Sequence, residues 1–72
     1  MEKQMVMLAL MEMHKAYMRL HNMRKMFDES NEKERADVYV NRAIGMESAM
    51  TILRNSAGIS LNEYIDTAAA VA

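Results

Sequence analysis

Two apolar frames of matching length, separated by four polar residues, constrain this chain more than any other feature. In the first, Val6, Met13, Leu20 and Phe27 recur every seven residues, and Ala9, Ala16 and Met23 recur three positions behind them. Leu10 and Tyr17 widen that stripe. In the second, Ala36, Ala43, Met50 and Ala57 form one column and Tyr39, Met46 and Leu53 another, with Val40, Ile44 and Ile52 broadening it. A seven-residue repeat of this kind is the apolar edge of a helix that lies lengthwise on another helix. Strong helix formers fill both segments, and the chain has no Pro to interrupt them. The spacing predicts one helix over about Glu2–Phe27 and another over about Glu32–Ala57, each about 26 residues or ~39 Å long.

The link between them, Asp28-Glu29-Ser30-Asn31, is polar throughout. Ser30 or Asn31 suits the N-cap of the second helix, and Asn31 with Glu34 three residues on resembles a capping box. Gly58 lies just past the last apolar member, where a left-handed C-cap residue belongs. Ser60-Leu61-Asn62-Glu63 reads as a capping box, with Ser60 as N-cap and Glu63 reaching back. It opens a third helix over about 61–70, with Leu61, Tyr64, Ile65 and Ala68 on its apolar side and an alanine-rich end, 68–72, expected to fray.

The fold class expected is therefore all-α. A short polar link between two helices of equal length makes an antiparallel hairpin, and the third helix folds against its open end, all within one helical domain spanning 1–72. The hairpin core is expected at Val6, Met13, Leu20 and Phe27, facing Tyr39, Met46, Met50 and Leu53, with Ala9, Ala16, Met23 and Ala43 in the same seam.

One seam leaves apolar residues over. Met5, Met7, Leu8, Met11, Met18 and Met26 fall on the other sides of the first helix, and nearly every side of Met5–Met13 is apolar. A helix that is apolar all round is a buried helix, so a second contact surface is expected. A chain of 72 residues buries only about 60% of its unfolded surface. Such scaffolds usually add disulfides, a metal or another subunit, and there is no Cys to supply a disulfide. Two partners fit: a second copy, giving a four-helix bundle, and an unidentified protein met by the adaptable methionines.

Chemistry is sparse. There is no Cys nucleophile, Gly-rich phosphate loop or metal-ligand cluster. Ser30, Ser48, Ser56 and Ser60 read as turn, surface or cap residues, and the neighbours Glu12 and His14 diverge on a helix. The chain is expected not to be an enzyme and to need no cofactor. Met5, Met7, Met11, Met13 and Met18 with His14 and His21 suggest a thioether site for Cu(I). However, the two histidines are seven residues apart, ~10.5 Å along a helix, and His14 with Met18 is the one i,i+4 pair of this kind, so no metal is expected. His14 and His21 share one side, where they can make association pH-sensitive.

Charge excludes little. The net charge of −1 gives no general attraction to nucleic acid. Met13–Met26 carries Lys15, Arg19, Arg24 and Lys25 and no acid. These charges point several ways near a helix C-terminus, where cations favour the dipole, although an acidic partner surface also suits them. The apolar run Met5–Met11 is far short of the ~20 residues a membrane span needs. Glu2 beside Lys3, with no small-residue cleavage site after the run, does not resemble a signal peptide. No membrane partner and a cytoplasmic location are expected, consistent with the lack of Cys.

A different reading of the second half starts from Gly58-Ile59-Ser60-Leu61-Asn62-Glu63-Tyr64-Ile65, followed by Ala68. This resembles the turn and second helix of ribbon-helix-helix repressors. Met46, Met50 and Leu53 stand where that family's first helix is apolar, and the β-prone Val38-Tyr39-Val40-Asn41 where its DNA-reading strand lies. The resemblance implies that Asp37, Tyr39 and Asn41 face the major groove, and that Ser60 and Asn62 hold a phosphate with the amides of the last helix. The helical frame from Ala36 to Ala57 runs through the same residues, so the two readings exclude each other. Under the first, the chain is a non-catalytic binding or regulatory module. By its size, it suits a small phage or mobile-element accessory protein that inhibits or adapts a larger one.

Overall fold

The computed structural model describes residues 2–71, apart from the side chain of Val71. It contains three helices: α1 (Lys3–Glu29), α2 (Lys33–Ser56) and α3 (Leu61–Val71). The two long helices form the antiparallel hairpin and α3 folds back at its open end, as the apolar frames imply. The alanine-rich end belongs to α3 through Val71, and Ala72 lies outside the described residues.

Both turns use one backbone device. At the end of α1, Glu32 N–H donates to Phe27 O (2.8 Å) and Asn31 N–H to Asp28 O (3.1 Å), with Asn31 at φ 59°. At the end of α2, Ile59 N–H donates to Arg54 O (3.0 Å) and Gly58 N–H to Asn55 O (3.1 Å), with Gly58 at φ 68°. Each is the paired 6→1 and 5→2 bonding of a Schellman turn, closed by one left-handed residue. Gly58 does what its position predicted. Asn31 does not: it closes α1 instead of capping α2, because Asn is the residue after Gly that best tolerates positive φ. The N-cap of α2 is Glu32, which makes no side-chain cap bond. At α3, Ser60 caps as expected, its Oγ accepting from Glu63 N–H at 3.1 Å. The Glu63 carboxylate is instead 2.8 Å from Lys3 Nζ, an exposed pair that adds little energy but joins α3 to the start of α1.

The seam on α1 differs from the expected one. Leu10 is 1% exposed, whereas Ala9 is exposed, so the contact stripe runs through Val6, Leu10, Met13, Tyr17 and Leu20 rather than through Ala9. Leu has three carbons more than Ala to take out of water, at ~0.8 kcal/mol each, and that area decides the rotation. Val6, Leu10 and Ile59 make the buried cluster, with Met7, Met50, Leu53, Ala57 and Tyr64 packed on it. Ala36, buried at the closed end, is the fourth buried residue among those described. The remaining expected core residues, Met13, Leu20, Phe27, Tyr39, Met46, Met50 and Leu53, are half-buried, Met50 and Leu53 against the cluster at the open end. Ile44 and Ile52, expected to broaden the inner column, point outward.

Val38–Asn41 lies inside α2, so the ribbon that the repressor resemblance implies is not formed. Ala36, Tyr39, Val40 and Ala43 meet α1 at helical spacing, and Tyr39 stacks on Phe27 at 5.5 Å between ring centroids. An extended strand would break that contact.

The result is long and thin, 42 × 22 × 17 Å, with a radius of gyration of 13.9 Å, against about 11 Å for a compact chain of this length. Its accessible surface is 5250 Å², against about 4,600 Å² expected of a compact monomer of this mass. With so small a core, Leu10→Ala should destabilise the fold by ~2–5 kcal/mol, while Ala9→Ser should change it by less than about 0.5 kcal/mol. Thermal or urea unfolding followed by circular dichroism checks both.

Candidate interaction surfaces

The residues expected to form a partner surface on α1 divide into two groups. Met5 (66%), Leu8 (58%), Met18 (41%) and Met26 (55%) are exposed. Met7 packs on the buried cluster that Ile59 completes, and Met11 is half-buried. The exposed four sit among Lys15, Arg19 and Lys25, which are also exposed. Exposed Glu12, Lys15 and Arg19 stand between Leu8 and Met26, so apolar and charged side chains alternate along this side of α1.

A second apolar face was not anticipated. On α2, Val38, Ile44 and Ile52 are exposed, Ile52 by 68%, and Gly45, Ser48 and Ala49 lie exposed between them. Three turns of α2, Ala43–Leu53, contain a single charge, Glu47. That sparsity of charge away from the seam was the signal available in the sequence.

A shallow groove follows one side of the hairpin. His14, Tyr17, Met50, Thr51, Arg54 and Tyr64 line its end near α3, and His21, Arg24, Val40 and Ile44 continue it, with Tyr17 and Glu47 common to both stretches. The aromatic rings touch in sequence: His14 lies 6.3 Å from Tyr17 and 6.4 Å from Tyr64, and Tyr17 lies 6.4 Å from His21. Arg54 Nη1 donates to Ile59 O at 3.0 Å, tying the groove wall to the turn. Arg24 Nε is 3.1 Å from Asp28 Oδ2, but its N–H is not aimed at that oxygen, so this is a charge contact rather than a hydrogen bond. At the closed end, Arg35 lies over Phe27 (5.8 Å) and Arg42 over Tyr39 (5.3 Å), so cation–π contacts fix these cations against the stacked rings.

Among the described residues, no three of His, Cys, Asp and Glu gather as a metal site, and no helix is long and apolar enough to cross a membrane. The residues assigned to DNA under the repressor resemblance are dispersed. Asp37 and Asn41 are exposed on α2, Tyr39 is half-buried on Phe27, Ser60 is engaged as a cap, and Asn62 is exposed on α3. Comparison with protein-family models, with curated proteins and with solved structures yields no match.

The Tyr64 hydroxyl is shut away from solvent without a hydrogen-bond partner among the described residues, and burial raises its phenol above the ordinary value of 10.0. The folded state therefore keeps this proton to higher pH than the unfolded state, and stability falls as pH rises above about 10. Tyr64→Phe removes the unpaired hydroxyl. It should leave stability at pH 7 unchanged or raised by ~1 kcal/mol, with a shallower loss on the alkaline side. Melting curves from pH 7 to 11 on both proteins test this.

Proposed function

We propose that this chain is a non-catalytic binding module that acts as a homodimer and presents the methionine-bordered face of α1 to a partner protein. The exposure of Met5, Leu8, Met18 and Met26 on one helix carries the reading. Isolated exposed apolar side chains are ordinary, but four long ones on one helix are apolar surface that the hairpin seam does not cover. Methionine has three flexible bonds and a polarizable sulfur, so such a face accommodates irregular surfaces.

Charge narrows the partner. The stretch Met13–Met26 has four Lys/Arg and no acid. Lys15 lies 3.1 Å from Glu12 and Arg24 3.1 Å from Asp28, so exposed Arg19 and Lys25 carry the preference. Two copies laid along it would bring like charges together, which opposes self-docking there. A partner with an apolar contact inside an acidic rim meets both features. Regulation follows from occupancy: the module inhibits or adapts a larger protein by covering part of its surface.

Leu8→Lys with Met18→Lys adds two charges at positions away from the hairpin seam. The double variant should keep its helical spectrum and capture at least tenfold less partner than the wild type when both are used as bait in extracts of the cells that make the protein. Equal capture of the same proteins by bait and variant would falsify the role of this face.

A further inference from the structure

The outer face of α2 has a symmetry that its composition alone does not show. Asn41, Ile44, Ser48, Ile52 and Asn55 follow one another at spacings of three and four, so they form one stripe along the helix. All five are exposed. The stripe reads the same in both directions: Ile44 and Ile52 are each four residues from Ser48, and Asn41 and Asn55 are each seven. We propose that a second copy of this chain docks along this stripe, antiparallel, with the two-fold axis at Ser48.

In that pairing, residues equally far from Ser48 on opposite sides meet. Ile44 packs on Ile52 of the second copy, and Ile52 on its Ile44. The Asn41 amide faces the second copy's Asn55 amide, and each can donate and accept. The two Ser48 hydroxyls face each other at the axis. Between Asn41 and Asn55 the stripe carries no charged group; Asp37, exposed one turn before Asn41, stands at its margin. A two-fold interface requires a self-complementary patch. A different protein would derive no advantage from the palindrome.

Gly45 is an independent observation. It is exposed in the middle of α2, its φ is not positive, and a Cβ placed on it would meet nothing within 4 Å. Neither backbone conformation nor packing within the chain requires glycine there, and glycine is the poorest helix former after proline. It borders the stripe beside Ser48, where a missing side chain lets a second backbone come close.

This assigns the homodimer of the functional reading to α2 and leaves the α1 face free. The chain has no Cys, so one introduced thiol is an unambiguous reporter. Under mild oxidation, Ser48→Cys should form a covalent dimer at least tenfold faster than Lys15→Cys, which lies on α1. Ile44→Cys mixed with Ile52→Cys should cross-link faster than either alone, which only the antiparallel register predicts. Gly45→Leu should weaken dimerisation at least tenfold in sedimentation while the helical signal holds or rises. The proposal is overturned by a wild-type chain that sediments as a monomer up to hundreds of micromolar. Equal cross-linking through Lys15→Cys and Ser48→Cys also overturns it, as does Ile44→Cys alone matching the mixture. A monomeric wild type would overturn the homodimer of the functional reading as well, whereas a dimer that lacks the predicted cross-linking pattern overturns only its placement on α2; neither outcome alters capture by the α1 face.

Discussion

Two rods in contact touch along a single line, and the depth of burial in this molecule follows from how many segments meet at each point on that line. In the middle of the hairpin, where α1 and α2 have only each other, Met13, Leu20 and Met46 are half-buried. At the open end a third segment arrives, and there Val6, Leu10 and Ile59 drop to 3%, 1% and 2% exposure. The hydrophobic term scales with the apolar area removed from water. Most of the secure stabilisation is therefore concentrated at one end of a 42 Å molecule.

That concentration depends on a backbone turn. The two links share the same pair of hydrogen bonds and the same left-handed residue, yet they have different outcomes. After Asn31 the next residue is Glu32, which remains at the surface and lies 3.4 Å from Arg35. After Gly58 the next residue is Ile59, which the turn drives into the hairpin. A hydrophobic contact from this position commonly accompanies the motif. Here it makes the third segment of the core. Arg54 then holds the Ile59 carbonyl through its guanidinium, so the turn is fixed from both its main chain and a side chain.

Much of this was legible from spacing. The three helices, the antiparallel pairing, and the roles of Gly58 and Ser60 follow from periodicity and cap chemistry, which are local. What escaped was set by competition between local options or by tertiary contact. Asn31 suits either a cap or a left-handed turn, and bonds to Phe27 and Asp28 decide between them. Ala9 and Leu10 both border the stripe, and the larger side chain takes the buried position. Ile59 fell in a link and was missed, although an apolar residue directly after a C-cap glycine is a readable sign. For the candidate surfaces, the exposure of Leu8 and Met18 was legible as excess over one seam. The partial burial of Met7 was not, because it depends on where Ile59 comes to rest.

The two outer faces differ in the property that selects partners. On α1 the apolar side chains are interrupted by cations, so docking there desolvates or pairs charge and favours a surface that answers it. On α2 the stripe is uncharged and carries small residues, so docking there depends on shape and close approach. A hairpin has no room to hide either face internally, since its one contact line is already occupied by the seam. Apolar surface that cannot be buried by folding can still be buried by association, and the difference in charge would keep the two proposed associations from competing for the same partner. The thinness that limits the stability of the single chain is, on this view, the same property that leaves two separate faces free for binding.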